Sequence, residues 1–104
     1  MRLSELLKAL PSELTPEQWI RPHASTDPVI RGIAYDSRSV SQGDLFVALR
    51  GSDVDGHDFL QQAQALGCAA LLVEEATQAS QSTPTPVVVV PDTRRALAWV
   101  ATPT

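Results

Sequence analysis

The chain has 104 residues, 43% of them hydrophobic, and carries a formal net charge of -4. That length and apolar content predict one folded domain with a buried core, not a disordered segment. The acidic balance excludes a surface that grips nucleic acid or anionic lipid by bulk positive charge, and the apolar runs are strand-sized, too short for a spanning helix.

Leu3, Leu6, Leu7 and Leu10 recur at helical spacing, which predicts a short amphipathic helix with Ser4 as N-cap and Pro11 as stop. The start, Met1-Arg2-Leu3-Ser4-Glu5, lacks the long apolar core of a signal peptide. Ser12 to Asp27 shows no period and contains Pro16 and Pro22. It reads as loop, with one turn of helix over Pro16 to Trp19, tucked down by Trp19 and Ile20. Val29 to Tyr35 is the first predicted strand, and Ser37 to Asp44 a loop with a turn at Gly43-Asp44. Leu45 to Leu49 is a second strand, apolar enough to be buried on both faces.

Gly51 to Gly56 reads as a turn. A helix then starts at His57 or Asp58, presents Phe59, Leu60, Ala63 and Leu66 on one face, and ends with Gly67 as C′ residue. Cys68 to Val73 is a third strand, and Glu74-Glu75 its solvated end. Ala76 to Pro86, rich in Gln, Ser, Thr and Pro, is a solvated connection. Val87 to Val90 is a fourth strand, and Asp92 or Thr93 caps a last helix, Arg94 to Ala101. The alternation predicts an α/β fold: three layers, with a mixed, mostly parallel sheet of about four to five strands and flanking helices. The sequence stops at Pro103-Thr104, just past that helix, which suggests a domain cut from a longer protein.

There is no glycine-rich P-loop and no Gly-x-Gly-x-x-Gly, so no triphosphate or dinucleotide site is visible. His23 and His57 stand far apart, without Cys-x-x-Cys or His-x-x-x-His spacing, and no metal site is predicted. No histidine is placed by the sequence to activate Ser37, so a serine nucleophile is set aside and no catalytic residue is predicted. The lone Cys68 reads as a small core residue that cannot form an internal disulfide, which is compatible with the cytoplasm. Arg94-Arg95 reads as an exposed helix face.

What remains is polar and sits at strand ends, where α/β domains build sites for small ligands. Asp36-Ser37-Arg38 follows the first strand and has two readings. Asp and Ser either close a turn on backbone, or the Ser37 hydroxyl and nearby amides hold a ligand. Gly51-Ser52-Asp53-Val54-Asp55-Gly56 follows the second strand. It is either a plain turn or a loop whose amides reach an anion.

Taken together, Leu3-Ser4-Glu5-Leu6-Leu7, Tyr35-Asp36-Ser37-Arg38, Gly43-Asp44-Leu45-Phe46-Val47-Ala48, Gly51 with Asp55-Gly56-His57-Asp58-Phe59, Gly67-Cys68-Ala69-Ala70 and Val90-Pro91-Asp92-Thr93-Arg94-Arg95-Ala96-Leu97-Ala98 resemble the N-terminal domain of the Mur ligases. These are cytoplasmic enzymes that build the peptide of bacterial peptidoglycan. The resemblance covers the chain apart from Ser12 to Asp27. The leucine-rich start and the Asp-x-Arg-x-Ala-Leu-Ala ending look closer to the branch that adds the third amino acid to UDP-N-acetylmuramoyl-dipeptide. The next branch, which adds D-alanyl-D-alanine, shares the Asp-Ser-Arg, Gly-Asp-Leu-Phe and Asp-Gly-His-Asp-Phe segments.

The resemblance implies a division of labour. The N-terminal domain holds the UDP end of a UDP-N-acetylmuramoyl-peptide. A central domain of the same chain binds ATP and magnesium and forms an acyl phosphate, and a C-terminal domain brings the amino acid. It places Tyr35, Ser37 and the loop Ser52-Asp53-Val54 at the uridine diphosphate. Arg38 and Arg50 are additional candidates for its phosphates. Tyr35 stands where Leu or Thr is frequent, Gln42 where proline is frequent, and Ser52-Asp53-Val54 is a variable loop, so contacts there fall to backbone before side chains. This piece is then expected to hold no cofactor and no metal, and to supply affinity and orientation without bond-making. A stand-alone binding or interaction module is the competing reading.

Overall fold

The computed structural model describes residues 2–20, 27–49, 59–74 and 85–100. Helix α1 spans Leu3–Lys8, a 3-10 turn Ser12–Leu14, and strand β1 Gln18–Ile20. Then come β2 (Gly32–Ala34), a second 3-10 turn (Ser37–Ser39), β3 (Asp44–Val47), α2 (Leu60–Ala65), β4 (Ala70–Val73), β5 (Val87–Val89) and α3 (Thr93–Val100).

The strands form one five-stranded sheet in the order β1-β5-β4-β3-β2. Strands β2 to β5 run parallel, with Ile33 opposite Leu45, Leu45 opposite Ala70, and Leu72 opposite Val88. β1 closes the far edge antiparallel to β5, with Trp19 opposite Val88. The period-two alternation of each strand sorts the core into two layers. Leu45, Val47, Ala70, Leu72, Val88 and Val90 meet Leu3 and Leu6 of α1 and Ala96 and Val100 of α3 on one face. Phe46, Leu71, Val73, Val87 and Val89 meet Leu60 and Ala63 of α2 on the other. The expected three-layer α/β architecture with a mostly parallel sheet is therefore the observed one. Every residue of β3, β4 and β5 is buried, as strands covered on both faces must be.

Several local expectations are corrected. The segment after Pro11 is not loop with a helical turn at Pro16 to Trp19. It makes its 3-10 turn earlier and supplies the edge strand β1. Trp19 still tucks the segment down, against the first core layer. Hydrogen bonding to β5 overrides a local signal that two prolines made look unstructured. Ser4 is not the N-cap of α1. Arg2 takes that place, with its amide donating to Glu5 Oε1 at 3.1 Å. Ser4 lies in the first turn, and its amide and hydroxyl both donate to the Asp27 carboxylate, at 2.9 and 2.7 Å. A carboxylate distant in sequence thus satisfies an orphan donor of the helix start.

The first parallel strand is shorter than expected, and Val29 only bridges to Arg2. The helix start expected at His57 or Asp58 lies outside the described residues, and α2 is described from Leu60. Leu66, expected on its buried face, is exposed as the C-cap residue. Gly67 follows as the expected C′ residue at φ +92°. Its amide donates to Gln64 and the Cys68 amide to Ala63, the paired bonds of a Schellman motif.

Candidate functional site

Parallel strands deliver their carboxyl ends to one edge of the sheet. Tyr35 and Asp36 leave β2 there, Ala48 and Leu49 leave β3, Glu74 leaves β4, and Pro91-Asp92 leads from β5 into α3.

Asp36 initiates the 3-10 turn after β2. Its Oδ1 accepts from the Arg38 amide at 2.9 Å, an Asx-type cap. The Arg38 guanidinium closes back on the same carboxylate, with Nε to Oδ1 at 3.2 Å and Nη2 to Oδ2 at 3.0 Å. That side-chain bond, followed by the amide bond, holds the Asp36 carboxyl below the usual aspartate range, and Asp36 in turn raises Arg38. For Asp36 the turn-closing reading describes the local geometry. Arg38 remains largely exposed, and a guanidinium has five N–H donors, so the pairing leaves donors for a second anion.

Tyr35 and Ser37, which the sequence groups together, face different surroundings. Tyr35 is exposed and lines an open depression of about 250 Å3 with Ile33, Ala34, Asp36 and Ser39. Ser37 is 7% exposed, and its hydroxyl donates to Gln62 Oε1 of α2 at 3.2 Å. The hydroxyl is bonded to a side chain rather than to backbone, which neither reading of the sequence anticipates. Ser52, Asp53, Val54 and Arg50 lie outside the described residues.

Two residues that the sequence reading left out of the site belong to this edge. Glu74, expected as a solvated strand end, is half-buried, and its Oε1 accepts from the Thr93 amide at 3.2 Å and hydroxyl at 3.1 Å. Thr93 is fully buried and its hydroxyl also reaches the Ala48 carbonyl at 2.7 Å. Asp92 caps α3 through the Arg95 amide at 3.1 Å, as one of the two expected caps. Arg94 and Arg95 are exposed as expected, and Arg95 pairs with Glu13 at 3.4 Å. No local pattern announces the Thr93 contacts, because the partners lie 19 and 45 residues away. Among the described residues no group of three or more His, Cys, Asp or Glu is gathered that could hold a metal. No helix among them is long and apolar enough to cross a membrane.

Residues 29–103 match the family model described as "Mur ligase family, catalytic domain". The chain belongs to the Mur ligase family. A relative from Geobacillus thermodenitrificans, UDP-N-acetylmuramoyl-L-alanyl-D-glutamate--2,6-diaminopimelate ligase, is 42% identical over 97% of this chain and 18% of its own length. UDP-N-acetylmuramyl-tripeptide synthetase of Deinococcus radiodurans is 41% identical over 97% of this chain and 19% of its own. Among solved structures, MurF from Acinetobacter baumannii superposes with a TM-score of 0.68 at 32% identity, covering 89% of this chain and 19% of that one. MurF from Thermotoga maritima, solved with ADP, gives a TM-score of 0.60 at 32% identity over 70% of this chain and 16% of that one. The chain thus spans about a fifth of the length of the curated Mur ligases it matches.

Proposed function

We propose that this chain is the N-terminal, substrate-holding domain of a cytoplasmic ATP-dependent ligase that adds the third amino acid to UDP-N-acetylmuramoyl-dipeptide. One observation carries the reading: over 97% of this chain it is 41–42% identical to relatives named for the diaminopimelate ligase and the tripeptide synthetase. The solved MurF neighbours, at 32% identity, support the D-alanyl-D-alanine-adding branch as the second reading.

In this reading the carboxyl edge of the sheet holds the uridine diphosphate. Tyr35, Ser37 and Arg38 approach it from β2, and Ser52-Asp53-Val54 from the segment after β3. The acidic chain binds two phosphates through local amides and single cations, not through net charge. ATP and magnesium belong to a central domain beyond these residues. The assignment is supported by the sequence, which shows no glycine-rich phosphate loop. The family description carries the word catalytic. The contribution proposed for this chain is affinity and orientation at a part of the substrate remote from the new bond.

The test is a titration of UDP, then UDP-N-acetylmuramic acid, into isotope-labelled chain, read by amide shifts. The expected result is weak binding, with Kd on the order of 0.1–10 mM, because contacts on the central domain are missing while the association entropy is still lost. Shifts should concentrate at Tyr35 to Arg38 and Ser52 to Val54. Shifts confined to the opposite edge of the sheet, or submicromolar binding, would contradict the reading.

A further inference from the structure

Among the described residues, the large apolar side chains that stand out of the core are Val29, Tyr35, Leu66 and Trp99. Val29 bridges to Arg2, Tyr35 lines the depression at the carboxyl edge, and Leu66 is the C-cap of α2. Trp99 is the largest and has no such place. It is 50% exposed, which leaves on the order of 100 Å2 of mainly apolar surface open to solvent. The helix enforces that exposure. α3 buries Thr93, Ala96 and Val100, and packs Leu97 against the same core layer. Trp99 falls outside this stripe, on the side of Arg95 one turn earlier. Turning it inward would pull Ala96 and Val100 out of the core. Arg95 is itself held by Glu13 at 3.4 Å, with both side chains more than half exposed. An aromatic ring flanked by a charged pair has the make-up of an interface, apolar at its centre and polar at its rim, and Trp and Arg are the residues that anchor such contacts.

A single exposed aromatic is ordinary on a protein surface. The place of Trp99 along the chain points to its occupant. The curated relatives are about five times as long, this chain matching 18 and 19% of their lengths. α3 is the last described element, and Trp99 stands five residues before Thr104. Any chain that follows Thr104 starts within about 18 Å of Trp99 even at full extension. Such a tether raises the effective concentration of whatever it carries at this face. The helix is eight residues, about 12 Å, so a domain seated on its outer face also reaches the carboxyl edge where α3 begins.

We propose that the outer face of α3, with Trp99 at its centre and Arg95 and Glu13 at its rim, is the docking surface for the ATP-binding domain of the same chain. The proposal rests on the reading above that such a domain lies beyond these residues. Trp99 anchors the contact and loses its remaining solvent there. The domain that holds the UDP end of the substrate is thereby kept in a fixed orientation to the domain that activates the other end.

The test uses the complete gene product labelled with fluorotryptophan, first without ligand and then with a non-hydrolysable ATP analogue and the UDP substrate. The Trp99 line is assigned by its loss in Trp99→Phe. Its exposure in this domain alone, 50%, would leave the H2O–D2O isotope shift at about half of its value in the urea-unfolded product. A ring in the dry centre of an interface should show less than about a fifth of that value in at least one of the two states. Trp99→Glu puts a charge into that centre and should speed protease release of a fragment of this chain's size about tenfold. The fluorine measurement needs only the conservative Trp99→Phe, so it decides even if Trp99→Glu does not fold. A Trp99 line that is exposed in both states, or an unchanged cleavage rate in Trp99→Glu, overturns the proposal. Protection that disappears on dilution to monomer would put a second copy on this face and overturn it too. If Trp99 is exposed while the product still ligates, only this inference falls. If the complete product shows no ATP-dependent ligation, the reading it rests on falls, and the docking surface with it.

Discussion

The Ser37 hydroxyl donates to Gln62 Oε1 at 3.2 Å, joining the turn after β2 to the outer face of α2. The donor residue is buried and the acceptor exposed. A bond of that length to a solvated amide is weak, and the hydroxyl can rotate away from it. The same contact that braces the turn therefore keeps Ser37 beside the strand end where the uridine diphosphate is proposed to bind.

Ser37→Ala in the complete ligase should raise KM for the UDP substrate roughly five- to thirtyfold with little change in kcat, as expected for a hydrogen bond to a part of the substrate that does not react. Gln62→Ala removes only the brace. It should lower stability by about 0.5–1 kcal/mol and leave that KM unchanged. Steady-state kinetics with a melting curve for each variant decides. If both variants melt early and neither alters KM, Ser37 is a brace and nothing more.

Burial, with the Asp44 carboxylate as a smaller contribution, pushes the Cys68 thiol up to about 11. An unfolded thiol titrates near 8.5. The folded state then holds the proton more tightly, so the unfolded state binds fewer protons between those values and stability falls as pH rises through that window. Across the whole window the loss is on the order of 3 kcal/mol, of which about 2 kcal/mol falls between pH 8 and pH 10. Cys68→Ala should remove most of this alkaline loss in urea unfolding measured at pH 8 and pH 10. The native thiol should also react with a disulfide reagent at pH 8 far more slowly than the urea-unfolded chain, because the thiolate is the reactive form. Equal rates would show that the thiol is not sequestered in solution.

Gly67 sits at φ +92°, and an added Cβ would lie 3.3 Å from Gln42 Cγ. That side chain can move, so the backbone conformation dominates the cost. Gly67→Ala should destabilise by about 1–2 kcal/mol in urea, the penalty of the left-handed region for a residue with a Cβ. A measured cost near zero would mean that the Schellman motif ending α2 is not maintained in solution.

The α/β class, the order of the elements from β2 onward and much of the core were legible in the local pattern of the chain. Continuous apolar runs such as Leu45 to Ala48 and Ala70 to Val73 fit strands covered on both faces, and Gly67 fits a helix end. The family was legible too, because the Asp-Ser-Arg and Asp-Thr-Arg segments stand in order along the chain. Other features came from long-range contacts. Gln18–Ile20 became a strand because β5 offered an unpaired edge, which no propensity near Pro16 encodes. Asp27, 23 residues away, supplied the acceptor for the Ser4 amide in the first turn of α1. Ser37 turned toward Gln62 while Tyr35 stayed in the open, although they lie only two positions apart. Glu74 and Thr93 became partners across 19 residues. Local signals reflect backbone preference and burial period, and both act over a few residues. Hydrogen bonds between side chains and distant backbone depend on which strand ends the completed sheet brings together, and that is settled only when the sheet has formed.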